Sequence, residues 1–247
     1  MNIGLIGYGK AGSAVAAVLQ QDPRYQMAWI ATRSGLPQMT TVGVAEVPVI
    51  ALNKATFGDW IDAHPVDALV DFSGAASQAV YGEHVKRLGL MLVTAISSYD
   101  NEQLDYIQSL GAHARVLCSP NITVGINFLI MAAKLLREIA PFADVEILEQ
   151  HFREKPEVSG TAKKIAQSLS VDEGKVVSMR LGGIVGYHEV IFGFPHQTVR
   201  LIHESIRREA FGTGTAFALG ELQKCEKGFY TFDDLLMTRV RQHLAGA

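Results

Sequence analysis

The six residues Gly7-Tyr8-Gly9-Lys10-Ala11-Gly12 constrain this chain more than any others. They fit the spacing G-x-G-x-x-G, follow the apolar run Met1 to Ile6, and lead into an alanine-rich stretch from Ala11 to Gln21. That order reads as strand, tight turn, helix. The first glycine then permits the turn, the second lets a pyrophosphate approach the backbone, and the third lets the helix pack on the strand. Backbone N–H groups at the helix start hold the phosphates. Tyr8, Lys10 and Ala11 are expected to share the contact with the three glycines. The alternative is a plain glycine turn, which this strand-and-helix setting disfavours.

The 247 residues allow one large domain or two modest ones. An apolar fraction of 48% against a charged fraction of 19% excludes intrinsic disorder. Lys and Arg number 22 and Asp and Glu 25, so no bulk basicity points to nucleic acid. Cys118 and Cys225 lie far apart in sequence, which gives neither a disulfide scaffold nor a thiolate metal site, and no metal is expected. The apolar stretch Phe128 to Ala133 stops at Lys134, far short of the ~20 residues of a membrane span. The first residues carry no basic segment or cleavage signal, so a cytoplasmic α/β protein with no membrane partner is expected.

Further strands are predicted at Tyr25 to Ala31, Val66 to Phe72, Leu90 to Ala95 and Ala114 to Cys118. Helices are predicted at Ala75 to Leu88, closed by Gly89, and at Asn101 to Leu110. Alternation of this kind implies βαβ units and a parallel sheet. The pattern changes after Pro120. A long helix, Ile126 to Ala140, precedes four strand candidates: Val145 to Phe152, Val176 to Leu181, Tyr187 to Phe194 and Thr198 to Ser205. Successive strands without helices between them indicate an antiparallel or mixed sheet, hence a second domain. Helix-like segments close the chain at Glu209 to Gln223 and Thr231 to Leu244.

The end of the second strand selects the nucleotide. NAD sites usually carry a carboxylate about 20 residues beyond the glycines, on the ribose hydroxyls. Here the segment is Ala31-Thr32-Arg33-Ser34. A carboxylate repels a 2′-phosphate, whereas Arg33 can clamp one between two hydroxyl residues, so NADPH is expected to be preferred over NADH. The other reading of Arg33 is a solvated loop cation.

The richest segment of the second half runs from Glu149 to Ala162 (EQHFREKPEVSGTA). A strand delivers His151 to its end, Lys155 follows in a loop, and Ser159-Gly160-Thr161 opens a helix with Ser159 as N-cap. Lys163 and Lys164 in the first turn oppose the helix dipole, which makes sense beside a bound anion; equally, both could point into water. His151 is a candidate general acid, though a lone histidine is more often structural. Glu149 lies on the same strand face as His151 and is placed to orient the ring.

At these residues the chain resembles the dihydrodipicolinate reductase family. The family pattern E-x-H-H-x-x-K…S-G-T-A is similar to Glu149, His151, Lys155 and Ser159-Gly160-Thr161-Ala162; V-D-F-T/S is matched by Val70-Asp71-Phe72-Ser73. Ser119 to Asn127, Gly183 to Phe192 and His203 to Gly214 resemble three further motifs, in the right order. The resemblance implies a Rossmann-type parallel-sheet domain over 1–121 and 209–247. It implies an α+β substrate-binding and oligomerisation domain with a mixed sheet over 122–208. It also implies a homotetramer, a small dicarboxylate substrate, and NAD(P)H-dependent reduction of 4-hydroxy-tetrahydrodipicolinate to tetrahydrodipicolinate in lysine and diaminopimelate biosynthesis. By the same resemblance His151 is the proton donor and Lys155 its assisting cation. Phe152, Ser159, Gly160 and Thr161 fall at substrate positions; Phe72, Ser73, Thr94, Ser97, Asn121 and Arg208 fall near the cofactor.

The sequence departs from the family pattern at Phe152, which stands where a second histidine is usual. The loop Pro156-Glu157-Val158 is one residue short, Thr94 to Ser98 replaces a G-T-T-G segment, and the region before Gly182 is short. Two other readings therefore stay open: a related reductase of another imino or keto acid, and a nucleotide-binding homologue without activity.

Overall fold

The computed structural model describes residues 1–35 and 38–246. In chain order the elements are β1 (Asn2–Ile6), α1 (Lys10–Gln21), β2 (Gln26–Thr32), β3 (Gln38–Val42), β4 (Ala45–Ala51), α2 (Phe57–Ala63), β5 (Ala68–Asp71), α3 (Gln78–Leu88), β6 (Met91–Thr94), α4 (Asn101–Ser109) and β7 (Arg115–Cys118). They continue with α5 (Val124–Ile139), β8 (Asp144–His151), α6 (Gly160–Ser168), β9 (Val177–Arg180), β10 (Tyr187–Phe194), β11 (Gln197–Glu204), α7 (Glu209–Leu222), β12 (Gly228–Tyr230) and α8 (Phe232–Ala245). Two compact units result: Met1–Thr123 with Phe211–Ala247, and Val124–Ala210. No helix among the described residues is long and apolar enough to cross a membrane.

The first unit is built on a sheet in the order β12-β7-β6-β5-β1-β2-β4-β3, parallel except for the antiparallel pair β3–β4. Its central strands are apolar on both faces. Ile3, Leu5, Ile6, Ile30, Leu69, Val70, Leu92, Val93, Val116 and Leu117 are all buried, as a parallel sheet covered by helices demands. The ends of its helices follow local chemistry. Gly89, at φ 64°, closes α3 behind Lys86 and Arg87, while Asp100 with Gln103 and Thr231 with Asp234 form capping boxes on α4 and α8.

The segment 38–63, read above without elements, contains β3, β4 and α2. Pro48 interrupts the apolar pattern of β4, and it is paired only with Met39 of β3, before pairing to β2 begins at Val49. A proline at that position removes a ladder donor without breaking the sheet, yet in sequence it demotes the whole run. Strand β12 is three residues long, too short for a periodic signal.

Helix α7 has little amphipathic character because its glycines, not a stripe of leucines, fit it to its neighbours. A Cβ at Gly212 would sit 2.5 Å from Val18 of α1, and one at Gly214 would sit 1.9 Å from the Ile122 carbonyl oxygen.

The second unit is a four-stranded mixed sheet, β11-β10-β8-β9, in which only β8–β9 is parallel. Helices α5 and α6 contribute Ile126, Ile130, Ala133, Ile165 and Ala166 to a core with Ile147, Val190 and Phe192 of the sheet. The period-2 alternation puts Leu148, Val177, Met179, Ile191 and Ile202 on the opposite face, where Val177, Met179 and Ile202 are exposed. Along the helix-covered face the chemistry changes abruptly. The row Ile147–Val190–Leu201 is apolar, and the next row across all four strands is Ser178–Glu149–His188–His203.

Gly214→Ala is expected to lower unfolding stability by about 1–3 kcal/mol, because the new methyl meets a fixed backbone carbonyl. Gly74→Ala, with open space around its Cβ, should stay within about 0.5 kcal/mol. Urea denaturation of both variants measures the difference.

Candidate active site

The residues singled out in the sequence fall into two groups, one in each unit. In the first unit, Gly7, Tyr8, Gly9, Thr32, Arg33, Ser34, Phe72 and Ser73 line one cleft of about 830 Å³ at the carboxyl ends of β1, β2 and β5. The three glycines divide the work as their spacing suggests. Gly7 has φ 92°, and a Cβ there would press on Phe72 and Ser73 backbone; a Cβ at Gly12 would lie 2.0 Å from the Gly7 carbonyl oxygen. Gly9 faces open space. It is the N-cap of α1 with no side-chain cap and no acidic residue in the first turn, which leaves that helix end to an anion. Lys10 and Ala11 begin α1, and Thr32 ends β2 with Arg33 and Ser34 exposed in the turn beyond it. These features fit a dinucleotide pyrophosphate.

Beneath the cleft lies a polar cluster that the sequence reading did not single out. Asp71, fully buried at the end of β5, accepts from Ser73 N at 2.9 Å, from the Ser73 hydroxyl, and from Tyr81 Oη at 2.8 Å. Burial pushes its carboxyl up to about 6, although the hydrogen bonds from Ser73 and Tyr81 work against this. The Thr94 hydroxyl is engaged by Tyr99 Oη at 2.9 Å, inside the protein. Ser97 is exposed. Asn121 folds its loop by accepting from Thr123 N and Oγ1. Arg208 is exposed in the second unit, immediately before α7.

The second group is organised around one carboxylate. Glu149 has no exposed side-chain surface. It accepts Ser178 Oγ at 2.7 Å and Arg180 Nη2 at 2.8 Å on Oε1, and His151 Nδ1 on Oε2. Burial alone would raise this carboxyl; the bonds from Arg180, Ser178 and His151 outweigh it and hold it down at about 2. His151 is pulled below its ordinary value by burial, with Glu149 opposing. Because Nδ1 is bound to Glu149, Nε2 is the nitrogen left for exchange. Gly186, whose Cβ would come within 3.2 Å of that nitrogen, leaves room beside it.

Arg180 reaches further. Nε donates to the Lys155 carbonyl at 2.9 Å and Nη2 to the Glu157 carbonyl at 2.7 Å, so one guanidinium ties the Lys155 loop to the Glu149 carboxylate. Ser159 caps α6 by accepting Ala162 N at 3.0 Å, and its hydroxyl stands 2.9 Å from His188 Nε2. Gly160 has open space about it, and Lys163 and Lys164 are both half-buried. Phe152 is 39% exposed. Ser178, Arg180 and His188 were absent from the sequence-based site. The signal for the first two was the parallel register of β9 on β8, which sets Ser178 beside Glu149 and Arg180 beside His151.

Comparison with known proteins identifies the family. Residues 1–122 match the profile of the dihydrodipicolinate reductase N-terminus, and residues 121–236 match that of the dihydrodipicolinate reductase C-terminus. The chain belongs to the dihydrodipicolinate reductase family. Among similar relatives, the 4-hydroxy-tetrahydrodipicolinate reductase of Aquifex aeolicus (strain VF5) is 31% identical over 69% of this chain and 73% of its own. The enzyme of that name from Thermosipho africanus (strain TCF52B) is 25% identical over 96% and 98%. A dipicolinate-bound dihydrodipicolinate reductase from Paenisporosarcina sp. TG-14 shares the fold with a TM-score of 0.79, at 21% identity over 94% of this chain and 97% of that one. Within this reductase family member, Glu149 is the anion on which the second unit's polar site converges.

Glu149→Gln is expected to lower stability at pH 7 by about 3 kcal/mol, since it strands a largely buried guanidinium. The sign with pH follows. The carboxyl of Glu149 titrates lower in the folded protein than its ordinary 4.5, so its contribution is full above about 4.5 and is lost as pH falls toward 2. Denaturation curves of the two proteins should therefore converge across that window.

Proposed function

We propose that the protein reduces 4-hydroxy-tetrahydrodipicolinate to tetrahydrodipicolinate with a nicotinamide dinucleotide, NADPH in preference to NADH. The observation that carries this reading is the His151–Glu149 pair beside the Ser159-Gly160-Thr161 turn, in a chain of this family. Residues 1–121 with 209–247 serve as the nucleotide-binding domain, and 122–208 as the substrate-binding and oligomerisation domain. A bound dinucleotide supplies the hydride. The protein's own part is to hold and protonate the substrate. Backbone N–H groups and the Thr161 hydroxyl at the start of α6 take one carboxylate, and Lys155 supplies positive charge. With the dinucleotide bound, loss of the 4-hydroxyl and a neighbouring ring proton as water would leave a conjugated imine; hydride addition at the carbon that bore the hydroxyl would give an enamine, and a proton held on His151 Nε2 would complete the reduction at the adjacent carbon. Phe72, Ser73, Thr94, Ser97, Asn121 and Arg208 are assigned to the cofactor, and Phe152 to the substrate.

Three further properties belong to the same reading. Arg33 takes the adenosine 2′-phosphate, since no carboxylate stands at the end of β2. The open sheet face with Val177, Met179 and Ile202 meets other copies of the chain, giving a homotetramer. The enzyme works in the cytoplasm, on a small-molecule dicarboxylate. A specific observation favours one other reading: the exposed ring of Phe152, where the family carries an imidazole, removes a hydrogen-bonding group from a polar substrate loop and fits a related imino or keto acid.

Supplying NADPH and the condensation product of pyruvate and aspartate semialdehyde is expected to give cofactor oxidation. His151→Gln and Lys155→Ala should each lower kcat about 100-fold or more. Absence of turnover by the folded wild-type protein, together with turnover of another imino or keto acid, would transfer the assignment to the second reading; Phe152→His should then improve use of the dicarboxylate. Arg33→Ala is expected to raise KM for NADPH about tenfold while leaving NADH within about twofold; equal effects on both would remove Arg33 from cofactor choice.

A further inference from the structure

His188 lies in the polar row between Glu149 and His203, a position where the rest of this face of β10 is apolar core. Its ring makes two directed contacts. Nε2 stands 2.9 Å from Ser159 Oγ, and the ring meets the His151 ring edge-on, with centroids 5.3 Å apart and planes at 76°. Nδ1 is buried and has no hydrogen-bond partner among the described residues. Leucine or valine in this place would bury no unpaired polar atom, so core packing alone does not account for an imidazole.

Ser159 Oγ accepts the Ala162 N–H, which leaves it one proton and one lone pair, and the side chain it meets with these is His188, at Nε2. Burial, reinforced by the neighbouring His151 and His203, pushes the imidazole down to about 3 and keeps it a neutral acceptor. Ser159 in turn holds the first turn of α6, where the Lys163 N–H also returns to the Ser159 carbonyl.

We infer that His188 is a positioning residue for the reaction: as a neutral acceptor it locks the Ser159 hydroxyl, and thereby sets the carboxylate-binding turn in register with the proton donor His151. The role rests on the functional reading above for its substrate, but the His188–Ser159–Ala162 link does not. Removing the acceptor would leave the Ser159 hydroxyl proton buried without a partner, and the turn would relax away from His151.

Two variants of the full-length protein test this. His188→Leu keeps bulk and removes the acceptor, while His188→Gln places an amide oxygen near the position of Nε2. In the free protein, exchange of the Ala162 and Lys163 amides should quicken about fivefold to tenfold in His188→Leu and return close to wild type in His188→Gln. The affinity for pyridine-2,6-dicarboxylate, by calorimetry with the dinucleotide present, should fall about tenfold in His188→Leu and recover with Gln, while the dinucleotide affinity stays constant. Unchanged exchange in His188→Leu, or no recovery in His188→Gln, overturns the link. Faster exchange with unchanged dicarboxylate affinity overturns the positioning role. If the wild-type protein binds no pyridine-2,6-dicarboxylate, the substrate assignment fails instead, and amide exchange still decides the link to Ser159.

Discussion

A single carboxylate with no exposed surface organises the second unit of this protein. Glu149 is tolerable there because a guanidinium, a hydroxyl and an imidazole all donate to it. Each donor transmits a constraint elsewhere. Arg180 fixes the backbone of the loop bearing Lys155, and His151 has its free nitrogen defined by the bond at the other. Removing the charge would therefore loosen a loop, a strand register and a tautomer together, which is how neighbouring polar groups come to act as one unit.

The abrupt change from an apolar row to a polar row on one sheet face has the same origin. A sheet face packed under two helices excludes water along most of its length, so a carboxylate survives there only with donors around it. At its end Ser178, Arg180 and His151 supply them to Glu149, while Nδ1 of His188 and of His203 in the same row is buried without a partner among the described residues. The same enclosure that forms the core thus gathers a set of polar donors around one carboxylate.

Much of this was legible in the residues. Parallel strands buried on both faces announce themselves as apolar runs, and the glycine spacing after β1 carries its own geometry. The second unit's strands and the Ser159 cap were equally readable, because period 2 and N-cap chemistry are local. What escaped was of two kinds. Pro48 disguised β4 and with it the hairpin to β3, and β12 carried too few residues to show a period. Arg180 and Ser178 escaped because their importance lies in register between strands distant in sequence, which no local pattern encodes; His188 lay within the matched motif Gly183 to Phe192, but its contacts with Ser159 and His151 depend on the same register. The partners of Asp71 escaped for a related reason: its motif was visible, but Tyr81 of α3 and the half-buried Tyr99 meet beside it only in the fold.

The return of the chain to the first unit has a consequence for how the molecule assembles. Strand β7 pairs with β6 on one side and with β12 on the other, and β12 follows the whole second unit in sequence. Until that intervening stretch has been made, β7 is an open edge, a template for unwanted pairing with other chains. The glycines of α7 bear on the same step: close approach to Val18 and to the Ile122 carbonyl makes the returning helix a fitted closure, whose contacts form only after a long loop has been brought together. The inserted unit therefore delays the sealing of the sheet that carries it, and the late-made end of the chain serves as its latch.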